Sequence, residues 1–197
     1  FNVLYNKQYK NCGFFVGGNM LWAKNKIIDL KEIAYKYAHQ YRKGHSIGTR
    51  FGFETNGLYT HPDQLVNAPT GSFGSPVLGD IVYKNQNPED DNVIDESDMV
   101  ALGNSLPEII FGATLGGNYK GFDIQCNLEG SSLFSTHYIP NKFTPYAYEN
   151  RWNPNDPAVQ TAYPGLSISR EYNTQTSDFW QKKTSLLRIS SAEVGYT

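Results

Sequence analysis

Two cysteines, two methionines and no long apolar run set the first limits on this 197-residue chain. Cys12 and Cys126 are not in CxxC spacing and no histidine cluster accompanies them, which argues against a zinc site. Cysteines this far apart are more often independent than bridged. No stretch of 18 apolar residues occurs, so the sequence holds no transmembrane helix. That says nothing of a membrane barrel, whose strands are short and alternating. Charged residues are scarce, 18% against a typical value of about 25%. The net charge is −2, from 17 Lys plus Arg against 19 Asp plus Glu. With no basic stripe, a nucleic-acid partner has no electrostatic support. His39, His45, His61 and His137 form no metal spacing, and no HExxH pair, P-loop or serine nucleophile elbow is present. Nothing in the sequence points to an enzyme.

Aromatic side chains fill the gap at 14%, with 14 Tyr, 11 Phe and 3 Trp beside 18 Gly. A chain poor in aliphatics and charges but rich in Tyr, Gly and Asn is neither a helical bundle nor a polyelectrolyte. It reads as all-β with long polar loops. It opens Phe1-Asn2-Val3-Leu4-Tyr5 and stops at Val194-Gly195-Tyr196-Thr197 in a strand-like pattern, the expectation for a fragment of a longer protein.

Within residues 12–23, Phe14, Val16, Met20 and Trp22 share one face at period two, with Asn19 on the other, which predicts a strand. Residues 27–42 fit two patterns. Ile27, Leu30, Ile33 and Ala34 have helical spacing, whereas Tyr35, Tyr37, His39 and Tyr41 alternate like a strand. Ile47 to Thr55 reads as a strand ended by the turn pair Asn56-Gly57. Residues 56–108 are rich in turn chemistry, with only Ile81-Val82-Tyr83 strand-like. The clearest signal follows. Ile109 to Tyr119 alternates, Lys120-Gly121 makes a tight turn, and Phe122, Ile124, Cys126 and Leu128 then alternate strictly with Asp123, Gln125, Asn127 and Glu129. Strands of about ten residues cross a bilayer when tilted, whereas soluble strands average about five or six. Residues 131–183 form a second long polar excursion, and Leu186 to Thr197 is a last strand candidate. A short turn on one side and long connections on the other is the asymmetry of outer-membrane barrels.

The run Gly79-Asp80-Ile81-Val82-Tyr83-Lys84, then Val93-Ile94-Asp95-Glu96-Ser97-Asp98, then Leu102-Gly103-Asn104-Ser105-Leu106-Pro107-Glu108, resembles a hallmark of the SusC/RagA family. These are TonB-dependent outer-membrane transporters of Bacteroidetes. Tyr119-Lys120-Gly121-Phe122-Asp123, Gly130, Arg151-Trp152-Asn153-Pro154, Phe179-Trp180, Leu187-Arg188 and Val194-Gly195-Tyr196-Thr197 follow in the family's order. Asn25-Lys26-Ile27 and the Phe51-Gly52-Phe53 to Gly57 segment resemble it upstream. The resemblance implies that residues 1–197 are a late part of a transmembrane antiparallel β-barrel of about 22 strands. The plug domain, any TonB-contacting segment and the last strands would lie outside it. It further implies import of glycan or peptide across the outer membrane, a SusD-like surface lipoprotein as partner, and TonB engaged through the missing N-terminal region. The Lys120-Gly121 turn would be periplasmic, with 56–108 and 131–183 extracellular.

Three residue sets are candidate sites. Asn87, Glu89, Asp91, the Val93 carbonyl, Asp95 and Asp98 have the 1, 3, 5, 7, 9, 12 spacing of a calcium loop, although Asn92 stands at the turn glycine. The plain alternative is a solvated acidic turn without metal. Asp123, Gln125, Asn127 and Glu129 would line the lumen of a spanning hairpin, as a hydrophilic path or simply as a wet face touching a plug. Tyr138, Tyr146, Tyr148, Trp152 and Trp180 suit stacking on sugars or packing on peptide, or else the internal packing of an ordered loop. Tyr119, Phe122, Trp22 and Tyr196 suit a membrane-interface girdle. The competing function is a soluble or cell-surface β-protein that binds carbohydrate through aromatics. Phe111, Ala113, Leu115, Ile124, Cys126 and Leu128 would then face a dry core instead of lipid.

Overall fold

The computed structural model describes residues 1–89, 91–156, 161–167 and 171–197. In chain order the strands are β1 (Asn2–Gln8), β2 (Cys12–Trp22), β3 (Thr49–Gly52), β4 (Thr55–Leu58), β5 (Thr70–Gly71) and β6 (Ile81–Tyr83). They continue with β7 (Val93–Ile94), β8 (Val100–Asn104), β9 (Ile109–Tyr119), β10 (Phe122–His137) and β11 (Gln181–Tyr196). The one α-helix among the described residues is α1 (Pro145–Glu149). The chain is all-β and divides into two compact units.

The first unit comprises Phe1–Asn25, Asn104–Ser135 and Lys183–Thr197. It is a five-stranded sheet in the order β1-β2-β9-β10-β11. β2 and β9 pair antiparallel over their full length, from Cys12 opposite Tyr119 to Trp22 opposite Ile109. β9 and β10 form the expected hairpin, from Tyr119 opposite Phe122 to Ile109 opposite Ser132. Lys120 (φ 49°) and Gly121 (φ 89°) make its two-residue turn. Both central φ angles are positive, the type I′ geometry whose twist matches the strands it joins. A side chain at Gly121 would also crowd the Thr197 carbonyl, 2.6 Å from where its Cβ would sit.

The second unit comprises Lys26–Gly103 and Thr136–Lys182. Its strands are short, pairing β3 with β8, β4 with β6, and β5 with β7, the last in parallel. An aromatic core holds it together. Phe53, Ile81, Tyr83, Ile94, Ala147, Tyr163, Tyr172 and Trp180 are buried against one another, with Phe73, Met99 and Phe179 packed around them. Phe73, Tyr83 and Tyr172 meet pairwise at centroid distances of 5.0–5.5 Å in the tilted and edge-to-face arrangements that ring quadrupoles favour.

Several expectations are corrected. Residues 27–42 are neither helix nor strand apart from a 3₁₀ turn at Ala38–Gln40. Glu32 instead accepts from the Arg42 and Lys43 amides, and Tyr35 and Tyr41 exchange hydrogen bonds, so side chains satisfy this backbone. Asn56-Gly57 does not end a strand but lies inside β4, where the register to β6 shifts and Gly57 takes φ 82°. The expected strand from Ile47 to Thr55 shrinks to β3. Residues 56–108 carry β5, β7 and β8 as well as β6. The second excursion is shorter than expected, because β10 runs on to His137 and β11 begins at Gln181.

Candidate functional site

The sheet of the first unit separates its side chains by chemistry. Residues directly opposite on neighbouring strands share a face. The cross-strand rows Cys12–Tyr119–Phe122, Phe14–Gly117–Ile124, Val16–Leu115–Cys126, Gly18–Ala113–Leu128 and Met20–Phe111–Gly130 are apolar throughout apart from the Tyr119 hydroxyl. Val3, Tyr5 and, at the end of β1, Lys7 continue this face, Lys7 being its one charged residue on β1, and the Phe122 and Tyr196 rings meet on it at 4.6 Å. Phe14, Val16, Met20, Trp22, Leu115 and Ile124 are all exposed. The buried core cluster, by contrast, is made entirely of residues of the second unit. The two cysteines are free thiols, two rows apart on this face.

The opposite face carries the rows Gly13–Asn118–Asp123, Phe15–Gly116–Gln125, Gly17–Thr114–Asn127, Asn19–Gly112–Glu129 and Leu21–Ile110–Ser131, so its middle is polar while Leu4 of β1, Phe15, Leu21 and Ile110 add apolar groups to it. All four residues expected to line a lumen therefore stand together on one side. Arg188 donates to Glu129 Oε2 from Nη2 (2.7 Å) and Nε (3.2 Å), and Ser190 donates to Glu129 Oε1 at 3.1 Å. Asn127 Nδ2 donates to Ser191 Oγ at 2.8 Å. The partners of 127, 129 and 132 fall in number from 191 to 188 to 185, the antiparallel sense for β10 and β11. Side chains of Asn19, Thr114, Asn127, Glu129, Arg188 and Ser190 edge a concavity of about 690 Å³ on this face.

The acidic loop uses its side chains on its own backbone. The buried Asp98 carboxylate accepts from the Gln86 amide at 2.7 Å and the Asp95 amide at 3.0 Å. Asp95 caps the 3₁₀ turn Glu96–Asp98 by accepting from the Ser97 amide, and Asp91 accepts from the Val93 amide. Asn87 Nδ2 is buried without a hydrogen-bond partner, and Glu89 is exposed. Among the described residues no three carboxylate, histidine or cysteine side chains gather as a metal site.

The motif residues around this loop are core residues. Gly79 packs against the Trp152 ring. Asp80 accepts from the Val77 amide and from Asn173 Nδ2, both at 2.9 Å, while Asn173 Oδ1 accepts from the Ile81 amide. Trp180 Nε1 donates to the Asn173 carbonyl at 2.8 Å. Tyr83 donates to the Tyr172 carbonyl at 2.8 Å, and burial first, then the Tyr172 and Asp80 charges, push its phenol well above the usual tyrosine range. Burial likewise raises Tyr59 and Tyr163. Near the surface, the hydrogen bond from Lys84, reinforced by Gln86, holds Glu54 below the ordinary carboxylate value.

The five aromatic candidates divide in two. Trp152 and Trp180 are 6% and 4% exposed and belong to the core, whereas Tyr138, Tyr146 and Tyr148 are 68%, 51% and 61% exposed. Tyr138, Tyr146 and Trp180 converge with Phe179, Asn141 and Lys182 on a cleft of about 400 Å³. Tyr148 and Trp152 stand outside it. The sequence offered no signal for Asn141 or Lys182, because the cleft joins residues about forty positions apart.

No family model matches the chain, and no curated protein matches it. Solved structures of the RagAB peptide importer do match in fold. Its open-open and closed-closed states each give a TM-score of 0.65 at 14% identity, with 99% of this chain and 21% and 22% of theirs covered. A structure of the RagAB peptide transporter gives 0.68 at 14% identity over 99% of this chain and 21% of that one. These solved proteins are transporters, not enzymes. The chain spans about a fifth of the length of the proteins it matches, and at this identity the likeness is one of fold: an all-β fragment in keeping with part of a barrel.

Proposed function

We propose that this chain forms part of the β-barrel of an outer-membrane, TonB-dependent importer of the SusC/RagA type, taking up nutrient oligomers, peptide or glycan. The observation that carries the reading is the chemical split of the β1-β2-β9-β10-β11 sheet. Over β2, β9 and β10 one face is apolar and exposed from Cys12 to Met20, and the other carries the polar, hydrogen-bonded side chains from Asp123 to Glu129. A large contiguous apolar patch of this kind is disfavoured in water and marks a membrane or a partner. Its dimensions favour a membrane. From the row at Tyr119 to the row at Ile109 is ten residue steps, about 34 Å at a strand rise of about 3.4 Å. Tilted by about 40°, that projects to roughly 26 Å, close to the lipid-facing band of outer-membrane barrels, about 25 Å tall. Tyr119, Phe122 and Tyr196 at the turn end and Trp22 at the other sit where interfacial rings belong.

In this reading the polar face with Asp123, Gln125, Asn127 and Glu129 looks into the lumen, and Lys120-Gly121 is a periplasmic turn. The connections 56–108 and 131–183 lie outside the cell, with a SusD-like lipoprotein as partner, and TonB engages another part of the protein. The fold likeness to the RagAB peptide importer supports it and leans the substrate toward peptide.

Paired substitutions test it. A cation on the lipid face at mid-bilayer costs about 2–4 kcal/mol. Cys126→Arg in the full protein should therefore impair barrel assembly, read as loss of the heat-modifiable band in outer-membrane fractions. Asn127→Arg should assemble normally. If both assemble equally, the hairpin lies outside the membrane and the soluble carbohydrate-binding alternative takes over. Labelling of Pro145→Cys from outside intact cells tests the sidedness.

A further inference from the structure

The apolar face of the first unit is not flat. Where the row Phe14–Gly117–Ile124 crosses β9, Gly117 has no side chain, and the face dips between its neighbours. The dip opens into a groove of about 420 Å³ walled by Tyr119, Phe122, Ile124 and Val194. Tyr196, whose ring meets that of Phe122, alternates in step with Val194 along β11, which puts this wall on the apolar side. The groove begins at the outermost row, Cys12–Tyr119–Phe122, beside the Lys120-Gly121 turn, and runs one row inward. Its volume is in the range of small-ligand sites, about 300–1,000 Å³.

Cations gather at this end. Lys120 Nζ lies over the Tyr119 ring, 5.2 Å from its centroid, so an ammonium stands on the groove's own wall. Lys7 is in the row of Gly117 and Ile124, and its Nζ lies over the Tyr9 ring at 5.2 Å. A ring takes one side of an ammonium and leaves it N–H donors to spare. Both lysines are exposed, as is Lys10 in the connection from β1 to β2. The carboxylate that borders the groove, Asp123, belongs to the opposite-face row Gly13–Asn118–Asp123. Its oxygens lie where a side chain of Gly195 would be, and Gly195 is out of step with Val194 and Tyr196. Acid and ammonium are thus on different sides of the sheet.

An anionic lipid matches this arrangement. Lysine stems lie along apolar surface while their heads reach the interface, and a basic group there attracts anionic headgroups. An apolar protein segment would fill the groove but give the ammoniums no counter-ion. A free anion would leave the groove empty. We infer that the Gly117 groove is a site for one anionic glycerophospholipid, an acyl chain lying against Ile124 and Val194 and its phosphate drawn to Lys120 and Lys7. This rests on the membrane reading above and specifies the lipid at one place on that face.

The test is native mass spectrometry of the full protein, purified in detergent and titrated with dioleoyl phosphatidylglycerol, with dioleoyl phosphatidylcholine and with inorganic phosphate. One lysine near an anionic headgroup is worth about fivefold in binding, so phosphatidylglycerol should bind at least about fivefold more tightly than phosphatidylcholine. Lys7→Gln with Lys120→Gln should bring that advantage to within about twofold, and the corresponding pair of Arg variants should keep most of it. Val194→Trp, at an exposed position on the groove wall, should weaken both lipids alike. Millimolar phosphate should leave lipid binding unchanged. Equal binding of the two lipids overturns the assignment, as does a preference that survives in the Gln pair or lipid binding untouched by Val194→Trp. Displacement by phosphate gives the lysines to a free ion and overturns it too. Failure of the membrane reading shows separately, as a protein that does not fractionate with the outer membrane. A membrane-inserted protein indifferent to headgroup charge overturns the groove assignment alone.

Discussion

Asp98 and Tyr83 show what the motif residues do one at a time. Asp98 is buried, and both its oxygens receive backbone amides. Asp98→Ala strands two buried donors, each worth about 1–3 kcal/mol when unsatisfied. Thermal unfolding should show a loss of that order, and a change below about 0.5 kcal/mol would contradict the capping role. Because Asp95 and Asp98 already serve amides, the unfolding midpoint should be the same in millimolar calcium as in chelator. A calcium-dependent rise that Asp91→Asn removes would restore the metal reading of 87–98. Tyr83 makes a pH prediction. Its folded pKa lies above the unfolded value of about 10, so the neutral phenol is what the core holds. The stability tied to it is fully present below about pH 10 and drains as pH rises past that value. Tyrosinate absorbance should therefore appear together with unfolding of the core, and Tyr83→Phe should soften that alkaline loss. Tyr83 titrating near pH 10 in the folded protein would contradict this.

The hairpin of β9 and β10 is the element on which the account turns. Gly121→Val places a β-branched residue at φ 89° and a Cβ against the Thr197 carbonyl. The left-handed conformation alone costs about 1–2 kcal/mol. The expected result is a slower-assembling barrel with a lower midpoint, whereas Lys120→Asn, which tolerates φ 49°, should be neutral or better. Equal midpoints for Gly121→Val and the native protein would mean a different turn. This element was readable from sequence because strict alternation and a two-residue turn are local signals. The extension of β10 from Ser131 to His137 was not, since Ser131, Ser132 and Ser135 break the apolar period while the backbone continues. Asn56-Gly57 misled because the pair that makes a turn also makes a bulge, and only the partner strand β6 decides between them. That Asp123, Gln125, Asn127 and Glu129 share one face was legible from period two alone. The aromatic cleft was half legible: Tyr138, Tyr146 and Trp180 were candidates, but their convergence with Lys182 is tertiary.

At the scale of the whole molecule the claim is that one sheet face meets lipid and the other water. The second unit needs no lipid, because its aromatic core is internal. The first has no buried hydrophobic cluster of its own and reads as stable only in a medium that accepts Phe14, Val16, Ile124 and Ile189. Spin labels placed singly at positions 122 to 129 of the full protein in liposomes, with the other cysteines replaced, measure this directly. Collision with oxygen, which concentrates in lipid, should peak at 122, 124, 126 and 128. Collision with a water-soluble nickel chelate should peak at 123, 125, 127 and 129. Opposite-phase oscillation at period two is the predicted result. In-phase profiles, or uniform accessibility to the chelate across all eight positions, would contradict it.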